Sequence, residues 1–309
     1  MSAGWIAAGV RGQGLLRRRL GDEGARRLAA SPSLASALAA LQLTPYGADV
    51  DPDMDLAAAQ HVVSATVLWH LRVLAGWGPP MGAGPLRVLA GRFEIANVTG
   101  QLLGLSGRVA RTPYALGSLA TAWPAVAAAR TPGAVRAALR SSPWGDPGGE
   151  ELPAVRVGLQ LAWARRVLDE VPGAGDWAIT GAALVVARAL ATGAGVAFGP
   201  GARRDATHLL GPRWPEATQA AELGRVVPRC AARLLDGVDG TEQLWRAEAR
   251  WWTTVEASAT SLATGPRPDA SCGVGVAALL AVDAWRVRAA LTLAARGGGD
   301  PAEVLDGAA

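Results

Sequence analysis

The chain has 309 residues, of which 50% are hydrophobic, 5% aromatic and 18% charged, with a formal net charge of +4. That length suits two or three domains. Every one of the 30 cationic side chains is Arg, which excludes a Walker phosphate loop and Schiff-base catalysis, since both require Lys.

Helical spacing of apolar residues runs through almost the whole chain, and no stretch alternates as a strand would, so the expected fold class is all-α. Long helices are expected at about 3–29, 55–75, 86–104, 153–171, 176–193, 216–236, 241–263 and 274–296, with short ones at 33–43, 115–129 and 133–141. Ser31-Pro32, Asp51-Pro52, Thr131-Pro132 and Asp300-Pro301 each place a capping side chain before a proline that loses no hydrogen bond in a first turn. Gly76–Pro85, Ser141–Pro153 and Gly193–Gly201 are expected loops, and Gly297, Gly298 and Gly299 are a stop signal.

The uncharged window Thr112–Ala129 holds Pro113, Gly117 and Pro124, unlike the run of about 20 apolar residues that a spanning helix needs. Met1–Ile6 has no basic segment ahead of an apolar stretch, which argues against a signal peptide. The expectation is therefore a cytoplasmic protein with no transmembrane helix. Cys230 and Cys272 stand outside any ligand spacing and are expected to be buried free thiols.

The chain echoes itself. Ala39–Gly47 aligns without gaps on Ala137–Gly145 at an offset of 98, each copy closing a short helix with a hydroxyl residue, Pro, an aromatic and Gly. Arg92–Val98 aligns on Ala281–Val287 at an offset of 189, close to twice the first. The spacing predicts three successive helical bundles, over residues 1–110, 111–205 and 206–309.

Motifs for chemistry are sparse. Gly273-Val-Gly275-Val-Ala-Ala278 imitates a dinucleotide fingerprint but lacks the strand that must precede it, so it is expected to be a helix entry. Gly9, Gly12 and Gly14 are expected to let a neighbouring helix approach. His61 and His70 lie nine residues apart on one helix, roughly on opposite sides, and form no compact metal pair. No catalytic, cofactor-binding or metal site is expected. Trp245, Trp251 and Trp252 share one helix, and adjacency puts one of the last two inward and the other outward.

Glu94, Asn97 and Gln101 follow at i, i+3 and i+7 and form a polar stripe, with Asp283 and Arg286 in equivalent places on the last long helix. They suit either pairing between neighbouring helices or contact with a partner. Arg17, Arg18, Arg19, Arg26 and Arg27 make a basic face, either solvated or docked on an acidic partner or anionic lipid. Nucleic acid is disfavoured because no aromatics interleave with these arginines.

Leu41–Gly47, with Thr44-Pro45-Tyr46-Gly47, then Arg92–Val98, then Val282–Val287 through Gly297 with Asp300-Pro301-Ala302-Glu303, occur in an order and spacing that resembles the C-subunit family of V-type and A-type ATP synthases, to which the d-type subunit of the vacuolar proton pump also belongs. Val98 stands where the family has Leu and Asp283 where it has Glu, and the middle bundle keeps only Ser142-Pro143-Trp144-Gly145 clearly. The resemblance implies three similar bundles in a funnel-like array without cofactor or catalytic centre. It also implies a coupling role, linking central-stalk subunits to the proteolipid rotor ring at the cytoplasmic face of the membrane, with peripheral contact only. A diverged helical interaction protein of the same fold, or an all-helical enzyme with a dispersed acid pair, stays open as an alternative.

Overall fold

A computed structural model describes residues 3–192, 198–265 and 269–299 and is all-helical. The α-helices are α1 (Ala3–Leu16), α2 (Gly21–Ala29), α3 (Leu34–Leu41), α4 (Leu56–Trp77), α5 (Pro80–Leu105), α6 (Trp123–Ala128), α7 (Pro132–Arg140), α8 (Leu152–Glu170), α9 (Gly175–Ala191), α10 (Pro200–Leu210), α11 (Ala220–Leu223), α12 (Arg229–Leu234), α13 (Leu244–Ala263) and α14 (Ala270–Ala294).

The chain divides into two compact units, one of residues 1–83 with 252–309 and the other of 84–251. These divisions differ from the sequence-based ones at 110 and 205, because the last helix returns to pack on the first four. In the first unit α14 is central, with α1, α2, α3 and α4 against it. A helix packed on several sides is largely apolar, and α14 is the one described helix long and apolar enough to cross a membrane, although 67% of its most apolar window is buried inside the protein.

Gly275 shows how close that packing is. A Cβ there would lie 2.5 Å from the amide nitrogen of Ala263 and 2.6 Å from the carbonyl oxygen of Ala259, backbone atoms that cannot step aside. The nucleotide-like glycine pattern is thus a helix contact. Gly12 plays a similar part, its missing Cβ making room for Val276, whereas Gly14 faces open space. Gly275→Ala is expected to cost about 2–3 kcal/mol in chemical denaturation, because α13 and α14 must separate. Gly273→Ala, which meets nothing within 4 Å, should be neutral or stabilising.

In the second unit Ile95, Val98 and Leu102 of α5 share a core with Val126, Val135, Leu139, Trp144, Val155 and Leu159, drawn from α6, α7, the turn after α7, and α8. α8 packs on α9 and α10, and α9 also on α11 and α12.

Several expected boundaries move. The helix expected at 3–29 breaks at 17–20, and Gly21 takes a φ of +71° that a side chain would resist. The span 216–236 becomes α11 and α12, and α10 occupies a stretch where no helix was expected. α5 starts at Pro80 rather than near 86, enclosing Pro85, within the expected Gly76–Pro85 loop. Thr131 caps α7 as expected, its hydroxyl accepting from the Ala134 amide at 3.1 Å. Ser33 and Asp55, not Ser31 and Asp51, cap α3 and α4. Gly297 and Gly298, with φ of +96° and +86°, end α14, and the Gly298 amide reaches back to the Leu293 carbonyl at 3.1 Å. Asp300-Pro301-Ala302-Glu303 and much of the Gly193–Gly201 loop lie outside the described residues.

The 98-residue echo has a counterpart in hydrogen bonds. After α3, the Thr44 hydroxyl donates to the Leu41 carbonyl at 2.6 Å and accepts from the Tyr46 amide at 3.2 Å, while the Gly47 amide bonds the Thr44 carbonyl at 2.9 Å. After α7, Ser142 donates to Leu139 at 2.7 Å and accepts from Trp144 at 3.2 Å, and Gly145 bonds Ser142 at 3.1 Å. Both turns bury their aromatic residue.

Candidate functional site

Among the helices that begin at residues with no side-chain acceptor, two take a partner from a distant helix. α2 follows Leu20 and α6 follows Ala122, so their first amides need a partner from elsewhere. A buried carboxylate reaches each from a distant long helix. Asp283 of α14 accepts from the Leu20 amide at 3.0 Å and the Gly21 amide at 2.7 Å, and from the Tyr46 hydroxyl at 2.7 Å. Glu94 of α5, fully buried, accepts from the Thr121 amide at 3.0 Å and from the amides of Ala122 and Trp123. A negative charge is stabilised at such a helix start by the free amides and by the helix dipole.

The rest of the α5 stripe serves the backbone on either side of α6. Asn97 pairs both ways with Tyr114, its amide nitrogen donating to the Tyr114 carbonyl at 2.9 Å and its oxygen accepting from the Tyr114 amide at 2.7 Å. Gln101 donates to the Ala129 carbonyl at 2.9 Å. Backbone without regular structure has polar groups that need partners when buried, and this stripe supplies them. Phe93 adds an edge-on ring contact to Tyr114 at 5.2 Å.

Arg286, one turn beyond Asp283, forms a two-pronged pair with Glu256 of α13, at 2.7 Å and 2.6 Å. Burial lowers its pKa, but the Glu256 bonds and charge, with smaller contributions from Asp22 and Asp283, outweigh burial and hold it above the ordinary value. All five stripe positions are therefore engaged within the chain.

The five basic-face residues separate. Arg26 and Arg27 pair with Asp22, at 2.9 Å, and Glu23, and Arg19 donates to the Leu16 carbonyl at 3.3 Å. Arg17 and Arg18 stand exposed in the turn between α1 and α2. The expected inward and outward pair of tryptophans is not found. Trp252 is buried and stacks on Trp285 at 5.8 Å, and Trp251 donates to the Trp177 carbonyl at 3.0 Å, so Trp245 is the exposed member. Both cysteines are half-buried rather than buried. Among the described residues no three His, Cys, Asp or Glu side chains are grouped to hold a metal ion.

Tyr46 and Asp283 stand out separately in the sequence, which carries no sign of the bond that joins these positions 237 residues apart. Burial, foremost, and the Asp283 carboxylate push the Tyr46 phenol well above its ordinary 10.0. In the unfolded chain that phenol ionises near 10, so its contribution to stability is complete below about pH 10 and is lost as pH rises further. With no Lys, few other groups titrate there. Alkaline unfolding of the first unit is expected to steepen above pH 10, and Tyr46→Phe should remove that part of the slope in a stability-against-pH series.

No protein-family model matches the chain, and no curated protein matches it.

Proposed function

We propose that the chain is a non-catalytic coupling subunit of a V/A-type rotary ATPase, built from three related helical bundles. In this reading it lies at the cytoplasmic face of the membrane, links the central stalk to the proteolipid rotor ring and supports ion transport. The observation that carries the reading is the recurrent packing of one long helix on two short ones. α14 packs on α2 and α3, α5 shares its core with α6 and α7, and α9 packs on α11 and α12. Each set leads into a further long helix, α4, α8 or α13.

The capping acids fit the same scheme. Asp283 and Glu94 serve the first two sets, while the position 98 residues before Asp283 is Val185, which has no carboxylate to offer. There α11 takes its cap locally, with Glu222 accepting from the amides of Thr218 at 2.8 Å and Gln219 at 3.3 Å. The motifs that resemble the rotary family, Thr44–Gly47, Arg92–Val98 and Val282–Val287, are the turn and the two capping helices of this scheme.

Affinity purification of the tagged chain from its native membranes in mild detergent tests the proposal. Recovery of a proteolipid ring together with stalk subunits supports it; recovery of neither overturns it.

A further inference from the structure

The stretches Ala3–Leu20 and Leu56–Ala83 contain Arg11, Arg17, Arg18, Arg19 and Arg72 and no Asp or Glu. Those five charges exceed the +4 of the whole chain, which leaves the remaining sequence slightly acidic. The same two stretches hold five of the eight large apolar side chains left exposed among the described residues, namely Ile6, Val10, Trp69, Trp77 and Met81. Exposure is substantial, at 69% for Val10 and 85% for Met81.

The two kinds of residue are interleaved on neighbouring helices. α1 packs on α4. At one end the Trp5 ring lies against Gly82, and the Arg11 guanidinium stands 4.9 Å from the centre of the Trp77 ring. At the other end Arg18 is near enough to His70 to depress it, after burial, and His70 meets the Trp69 ring edge-on at 5.1 Å. Ile6 and Val10, one helical turn apart, lie on α1 between Trp5 and Arg11.

The surface is thus apolar and strongly basic at once. An acidic protein would meet the arginines and leave the apolar side chains against charge. A purely apolar partner would strip the arginines of water without giving them counter-charge. A bilayer rich in anionic phospholipid satisfies both, since guanidinium groups bind phosphate in a two-pronged way and Trp rings favour the headgroup level. We propose that the exposed face of α1 and of α4 through Met81 is a peripheral docking surface for anionic phospholipid bilayers. This inference does not rest on the rotary-ATPase reading: loss of vesicle binding leaves co-purification with a rotor ring unaffected, and the converse also holds.

Flotation of the full chain with phosphatidylglycerol-containing vesicles, against pure phosphatidylcholine vesicles, tests it. Binding to the anionic vesicles alone, weakening with salt, is expected. The combined substitution Arg17→Gln, Arg18→Gln and Arg72→Gln should weaken it about a hundredfold, at about fivefold per arginine. Trp69→Ser with Met81→Ser should weaken it about tenfold or more. All five positions are exposed, so thermal midpoints should be unchanged and the variants remain informative. Equal affinity for neutral vesicles, absence of binding to anionic ones, or insensitivity to either variant overturns the proposal. Full competition by soluble polyglutamate with no effect of the Trp69/Met81 variant would instead identify an acidic protein partner. Dimerisation lost in that variant would identify a second copy of this chain; either result overturns the lipid assignment.

Discussion

Glu94→Ala is expected to destabilise the second unit by about 4 kcal/mol, enough to remove much of the stability of an ordinary domain. Its carboxylate receives the amides of Thr121, Ala122 and Trp123, the last two at the very start of α6. Each buried donor left without a partner costs about 1–3 kcal/mol, and the three are not additive because they share one acceptor. Ala122 has no side-chain oxygen, so the residue at the cap position cannot take over. Glu94→Gln, which keeps one oxygen but turns an NH2 toward the donors, should lose about half as much. Chemical denaturation followed by far-ultraviolet circular dichroism checks both values, and Asn97→Ala should show a smaller loss, because it frees the Tyr114 backbone rather than a helix start.

Asp283→Ala should cost the first unit about 3–4 kcal/mol through the same mechanism, plus the loss of its bond to the buried Tyr46 hydroxyl. Gly21 sits in a left-handed turn that the Asp283 bond steadies, so the start of α2 should fray as well. A second readout separates this account from simple loss of packing. Without the neighbouring carboxylate the Tyr46 phenol should ionise closer to its ordinary value, which ultraviolet titration detects. Asp283→Asn removes the charge while preserving volume, and should move the phenol in the same direction at a smaller cost in stability.

The helical class was legible because apolar residues recur at helical spacing and caps such as Thr131 announce a start. What the spacing could not show was interruption by distant groups. Residues 3–29 look like one helix locally, and they are divided where Asp283, far along the chain, takes the amides of Leu20 and Gly21. α10 had a readable signal, Pro200 at its first turn followed by Ala202, Ala206, Leu209 and Leu210 on its buried face. Pro85 suggested a loop, yet it lies inside α5, just past the first turn, where it forgoes a single amide bond.

The candidate site was legible as a stripe and illegible as a network. The spacing of Glu94, Asn97 and Gln101 put them on one helix face, but their partners are mostly backbone groups of an irregular segment, which have no sequence signature. The exposed apolar face of α1, α4 and the first turn of α5 was hidden for a related reason: Ile6, Val10 and Met81 look like core residues until burial is known.

That two buried carboxylates hold the starts of α2 and α6 follows from these bonds. Residue-resolved hydrogen exchange of the Leu20, Gly21, Thr121, Ala122 and Trp123 amides tests it most directly. Slow exchange in the native chain is predicted for all five, with selective loss of protection at 121–123 in Glu94→Gln and at 20–21 in Asp283→Asn. Fast exchange of these amides in the native protein, or protection unchanged by either substitution, would contradict it.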